Sequence, residues 1–205
     1  MADALTADLQ TTPARRPGAI TLARHGEPAL SRDVKLTAKG YREFWAKYEE
    51  MGLLPGQTPP AALMSEIATA GAVISSVRIR SIESALALCD GRAFVQDPTF
   101  IEAPLPPPNW PSFIKLAPST WGFIARFWWW FFDHHAGQES RGQAETRADA
   151  ATDLIEGLAV DGTDVVVVAH GFFNFMIGRA LRRRGWKMTA NQGWKYWSTR
   201  RYERV

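Results

Sequence analysis

The sequence predicts an α/β protein: a single three-layer α/β/α domain on a mainly parallel sheet, with an aromatic-rich insertion over the sheet's carboxyl edge. Three observations predict it. Two apolar, β-branched runs, Ile20-Thr21-Leu22-Ala23 and Val165-Val166-Val167-Val168-Ala169, each stop at a histidine–glycine pair, His25-Gly26 and His170-Gly171, as buried strands ending at a turn do. Segments of helical periodicity separate the strand-like runs, which implies parallel strands covered on both faces. At 205 residues, with 46% hydrophobic and 22% charged residues, the chain suits one domain with a sizeable core rather than two.

Each element follows from its residues. Met1 to Gly18 is polar and carries Pro13 and Pro17, so it is expected to be a mobile leader, with residues 19–205 as the domain. Ala19 to Arg24 is the first strand. Thr37 is placed to cap a helix running to about Met51, and Gly52 to Pro60 is a Pro/Gly loop. A second strand spans Ala72 to Ser75. Arg78 to Cys89 reads as a helix, with Ile82, Ala85, Leu86 and Cys89 on one face. Ala93 to Val95 is a short third strand. A helix from Ser140 to Leu158, the strand Val165 to Ala169 and a helix from Phe172 to Arg184 complete the alternation. Residues 104–135 break it. This Pro-, Trp- and Phe-rich insertion shows no clear register, and a segment of that kind is expected to be a lid. Its Trp128-Trp129-Trp130-Phe131-Phe132 run cannot point all five rings into one core from a helix or a strand.

Charge and cysteine content narrow the classes. A lone cysteine, Cys89, cannot form an internal disulfide, which fits a reducing compartment. The N-terminus has no basic start followed by an apolar run, and no uncharged apolar stretch is long enough to span a membrane. A cytoplasmic location is therefore expected, with peripheral membrane contact left open. The net charge of +3 is uneven: from Arg179 onward nine Lys and Arg face one acid, Glu203, a net +8 that leaves −5 for the rest. That tail is either a solvated basic face or a surface for anionic partners; no nucleic acid is expected.

The carboxyl edge of an open α/β sheet is where ligands bind. Two imidazoles delivered there, one beside an arginine, point to chemistry on an anion. Further motifs run in order: Arg24-His25-Gly26, Leu36-Thr37-Ala38-Lys39-Gly40, Arg80 within Ser75-Ser76-Val77-Arg78-Ile79-Arg80-Ser81-Ile82-Glu83-Ser84-Ala85, Glu102 in Phe100-Ile101-Glu102, Gln138-Glu139-Ser140 with Arg147, and His170. In this series the chain resembles the histidine phosphatase superfamily, in the branch shared with phosphoglycerate mutases. The resemblance implies a phosphoryl group held by Arg24 and Arg80 with the backbone at Gly171, His25 as nucleophile, and Glu102 and His170 completing the catalytic set. Physical chemistry supports those roles. Planar guanidinium forks neutralise a phosphoryl dianion bidentately. Adjacent arginines keep an imidazole neutral and nucleophilic. A carboxyl in apolar surroundings can hold a proton for a leaving alkoxide, and His170 can donate to the transferring oxygens. No metal or cofactor is called for.

Lesser candidates have humbler readings. Glu27 orients a loop or touches substrate. Ser31 lies where the family often has a polar phosphate contact. Glu139 and Arg147 join a helix to a loop, and His134-His135 is a solvated loop pair. Pro28 to Lys35 is short and offers no clear carboxylate clamp, so transfer to water is favoured over transfer to a second hydroxyl. The expected activity is a metal-independent, histidine acid-type phosphomonoesterase on a phosphorylated small molecule or lipid-like ester. The alternatives are a mutase-like phosphotransferase and a weakly active member that binds phosphate or a membrane. The aromatic insertion could also form a homodimer face.

Overall fold

Val165–Ala169 form β4, five consecutive residues buried on both faces, and the sheet is assembled around this strand. A run of β-branched residues with no polar side is stable only between two apolar layers. In the computed structural model, which describes residues 16–204, the strand order is β3-β2-β4-β1-β6-β5. β1 (Ile20–Arg24), β2 (Ala72–Ser75) and β3 (Val95–Gln96) run parallel to β4, directly or through β2. β5 (Lys187–Asn191) and β6 (Thr199–Glu203) extend the sheet antiparallel, β6 against β1. This is the predicted mixed α/β architecture.

Alternate residues of β4 feed two cores. Val165, Val167 and Ala169 join Ile20 and Leu22 beneath α5 (Arg141–Leu158) and α6 (Gly171–Arg183). Val166 and Val168 join Ala23 and Val73 beneath α2 (Ala61–Thr69) and α3 (Ile79–Cys89). Cys89 is part of this second core. A third cluster lies between α1 (Ala38–Glu50) and α4 (Pro118–Phe132), where Tyr41, Phe44 and Tyr48 meet Trp121 and Ala125. Thr37 caps α1 through its hydroxyl, which accepts from Gly40 N at 3.1 Å. Ser140 and Gln143 form a reciprocal capping box at α5.

Three expectations need correction. Residues 104–135 do not lack a register: α4 occupies 118–132, with Pro118 in its first turn. Trp121, Ala125 and Trp129 form its buried face, while Phe123, Phe127 and Phe131 form an exposed stripe; aromatics on both faces mask the period. The loop at 52–60 is present as expected, and it is followed by a helix that the sequence pattern did not mark, α2, held by buried Leu63 and Ile67. The third strand is Val95–Gln96, displaced from 93–95. The basic tail is not one solvated face. Tyr202 of β6 is buried, and Arg201 is ion-paired to Glu66, Asp164 and Glu203. Arg183, Arg184 and Arg204 pair with acids of α5. Of the expected leader only residues 16–18 are described; the rest lies outside the described residues.

Trp129 is fully buried and donates its indole N–H to Glu139 O at 3.0 Å, whereas Phe131 is 65% exposed. Trp129→Ala is therefore expected to cost about 3–5 kcal/mol and Phe131→Ala within about 0.5 kcal/mol of nothing, as read by urea denaturation. Equal losses would show that the helix is turned the other way.

Candidate active site

The ends of three parallel strands converge. β1 delivers Arg24 and His25, β2 delivers Ser75-Ser76, and β4 delivers His170. Gly26 follows His25 where a side chain would overlap the Trp197 indole, and its N–H donates to Ser84 Oγ at 2.9 Å. From α3 comes Arg80, which lies fully buried between the histidines. Its Nε donates to His25 Nε2 at 3.3 Å, and Nη2 lies 3.3 Å from His170 Nδ1. Nη2 also donates to Glu49 Oε1 at 2.8 Å, and Nη1 to Tyr48 O at 3.0 Å. Arg78 stays outside this centre; its Nε is 2.8 Å from Glu49 Oε2 but out of hydrogen-bond alignment.

The hydrogen bonds assign the tautomers. His25 Nδ1 lies 2.6 Å from Gly26 O, a bond that requires a proton on Nδ1 and leaves Nε2 unprotonated, its lone pair accepting from Arg80 Nε. His170 accepts from Arg80 at Nδ1 and donates from Nε2 to Ser76 Oγ at 2.9 Å. Burial, reinforced by the Arg80 and Arg24 charges, holds His25 well below the ordinary imidazole value of 6.5. His170 is held down in the same way, first by burial and then by Arg80. Both rings are neutral at physiological pH, 5.2 Å apart between centroids.

A cavity of about 660 Å³ opens over this centre, and Arg24, His25, Arg80, Glu102 and Gly171 reach it. Arg24 stacks on Tyr196 at 4.4 Å and donates to Trp194 O; its Nε is buried with no protein partner. Gly171 lets Arg24 lie across the first turn of α6, since a Cβ there would stand 3.3 Å from Arg24 Cδ. The surroundings expected for Glu102 are corrected. Its carboxylate is not in an apolar setting but accepts from Phe172 N (3.3 Å) and Phe173 N (2.8 Å), closing the N-terminus of α6. Arg147 forks onto Glu139 with two 2.7 Å bonds and donates to Thr99 O and Ile101 O at 2.8 Å, which fixes the segment carrying Glu102.

Three other candidates sit apart from the cavity. His170 is fully buried behind Arg80 and does not line it. Glu27 is exposed and braces a loop through backbone bonds with Gln57 and Leu54. Ser31 is also exposed and accepts from Asp33 N at 3.2 Å. Within Pro28 to Lys35 it is Arg32 that reaches the cavity, its guanidinium 5.0 Å from the Tyr48 ring centroid. His134 lies 3.3 Å from Pro107 O, and no cluster of three metal-ligating side chains occurs among the described residues. Sequence reasoning missed Glu49, Tyr48, Arg32, Tyr41 and Arg126. The Tyr41, Phe44, Trp45, Tyr48 spacing marks one face of α1 and was the available signal for part of that set.

A family model described as the histidine phosphatase superfamily (branch 1) matches residues 20–201. The chain belongs to this superfamily. Solved structures share its fold. A Mycobacterium tuberculosis open reading frame product is 21% identical with a TM-score of 0.53, covering 90% of each chain. A mycobacterial glucosyl-3-phosphoglycerate phosphatase is 17% identical with a TM-score of 0.53, covering 82% of this chain and 81% of that one. A phosphoglycerate mutase from Bacillus anthracis is 18% identical with a TM-score of 0.50, covering 91% of this chain and 88% of the other. Comparison with the curated proteins finds no match.

The buried histidines of this superfamily member also set its acid stability. In the unfolded chain they titrate near 6.5, while the folded state holds them neutral well below that. Between the two values the unfolded state binds more protons, so stability rises with pH. It is complete above the unfolded value and falls as pH drops below it, by up to about 1.4 kcal/mol per pH unit for each histidine. Urea midpoints measured from neutral to mildly acidic pH should decline; a flat profile would contradict the buried neutral pair.

Proposed function

We propose that the chain is a metal-independent phosphomonoesterase of the histidine acid type that works through a phosphohistidine on His25. The observation that carries this reading is the neutral His25 Nε2, its lone pair directed by the Nδ1–Gly26 bond and flanked by Arg24 and Arg80 at the floor of the cavity. Substrate phosphoryl oxygens take the Arg24 guanidinium, whose Nε has no protein partner, while Arg80, its N–H groups held by His25, Tyr48, Glu49 and His170, supplies positive charge beside them. Nε2 attacks phosphorus and the ester P–O bond breaks. Glu102, a carboxyl lining the cavity, relays a proton from solvent to the leaving oxygen. Water then attacks the phosphohistidine and returns a proton to Glu102, and phosphate departs. His170 acts from behind, holding Arg80 in line without adding positive charge. Glu49 is the counter-ion that keeps Arg80 buried.

The walls favour an apolar ester. Phe123, Phe127 and Phe131 line the cavity and are exposed as well, so its mouth continues into an apolar surface on α4. Such a stripe suits a hydrocarbon or aromatic leaving group, or contact with a membrane that presents one. No described helix is long and apolar enough to cross a membrane. Transfer to a second sugar-acid hydroxyl is the weaker reading, because the walls beyond the charged groups are largely aromatic.

His25→Ala is expected to abolish turnover of an aryl phosphate while cooperative unfolding persists. Enzyme quenched with labelled substrate should carry an acid-labile, base-stable phosphoryl group that the variant lacks. Robust activity in the variant would end the covalent mechanism.

Arg80→Lys replaces a fork with a point charge and should lower kcat/KM by at least about tenfold, near 1.4 kcal/mol. Arg78→Lys, outside the cavity, should change it by less than about twofold. A reversed order would place the wrong arginine at the phosphoryl group.

A further inference from the structure

Two buried donors in the cavity wall have no partner. The Tyr41 hydroxyl of α1 is buried and makes no hydrogen bond, and neither does Nε of Arg126 on α4. Both groups meet at Gly122: a single point, where a Cβ of Gly122 would stand, is 3.4 Å from Tyr41 Oη and 3.4 Å from Arg126 Nη1. Tyr41, Gly122 and Arg126 all line the cavity. The bonding capacity of the guanidinium is scarcely used, since its one contact is Nη1 to Gly122 O at 3.4 Å, and its plane lies 5.4 Å from the Phe172 ring centroid. Aromatic rings flank the pair, Phe44 and Trp45 on α1 and Phe123 and Phe127 on α4, and Arg32, Tyr48 and Glu102 are near enough to act on the Tyr41 hydroxyl. An unpaired buried N–H and an unpaired buried hydroxyl each cost stability, and in the wall of one cavity they form a receptor for an acceptor oxygen.

We infer that Tyr41 and Arg126 form a second polar subsite, which selects phosphate monoesters whose apolar body carries a carboxylate or carbonyl oxygen away from the ester. The inference rests on the phosphatase reading for the other end of the substrate. Burial pushes the Tyr41 hydroxyl up to about 12 even though Arg126 opposes the shift, so at neutral pH it is a donor. Arg126 supplies charge-assisted N–H bonds. An anionic oxygen satisfies both donors at once, and a plain hydrocarbon satisfies neither. The subsite therefore separates substrates that the aromatic walls alone would bind alike.

Calorimetric binding of non-hydrolysable arylmethylphosphonates tests this without relying on turnover. Phenyl, naphthyl and biphenyl bodies are compared, each with and without a carboxylate at the far end. At the length that spans the cavity, the carboxylate should tighten binding by about tenfold. In Tyr41→Phe, which removes only a hydroxyl, and in Arg126→Met, that ratio should fall below about twofold. No gain at any length, or a gain that survives both substitutions, would overturn the subsite. If Arg126→Met does not fold, the Tyr41→Phe ratio decides. Turnover of the matching phosphate esters is read separately. A carboxylate preference in binding with no hydrolysis of any ester would remove the phosphatase reading and keep the subsite. Hydrolysis with no carboxylate preference in binding would do the reverse.

Discussion

The Arg80 guanidinium is a fully buried cation, and the arrangement around it follows from satisfying that charge. A desolvated guanidinium needs acceptors on every side. Glu49 and the Tyr48 carbonyl supply them from α1, His25 from β1 and His170 from β4. One side chain of α3 thus ties a helix outside the sheet to two strand ends inside it. The same charge, added to burial, keeps both imidazoles neutral. Fold integrity and the neutrality of His25 are one electrostatic arrangement, and Glu49 is as much part of it as the histidines.

Around that centre the protein sets an unusual material. Helices α1 and α4 pack through Tyr41, Phe44, Tyr48 and Trp121, and the faces they leave over line the cavity with further aromatic rings. Rings give large apolar contact area with few degrees of freedom to lose, so they build a wall that keeps its shape when half exposed. The guanidiniums in this wall lie against rings: Arg24 on Tyr196, Arg32 over Tyr48 and Arg126 beside Phe172. Cation–π contact lets positive charge line an apolar cavity at modest cost.

Much of the frame was legible because its causes are local. A run of five β-branched or small residues buried on two faces has no other stable place than a central strand, and β4 lies at 165–169 as expected. Thr37 announced its helix through capping chemistry that acts within three residues. α4 and β6 were not legible for opposite reasons. In α4 both faces are aromatic, so burial and exposure leave no contrast to read. In β6 the arginines mask a strand whose charge is neutralised by Glu66 and Asp164, residues distant in sequence.

By itself the sequence determined the strands that end in His25 and His170 and the order of the motifs that meet at their ends, because spacing along a strand or helix places those residues. Only the tertiary structure decided that His170 stands behind Arg80 rather than in the cavity, that Glu102 rests on the N–H groups of Phe172 and Phe173, that Arg32 faces inward where Ser31 does not, and that Tyr41 meets Arg126 at Gly122. Each of those outcomes joins residues far apart in the chain or depends on the direction a loop takes. A hydrogen bond between distant segments leaves no periodicity in sequence; it exists only once packing has brought donor and acceptor together.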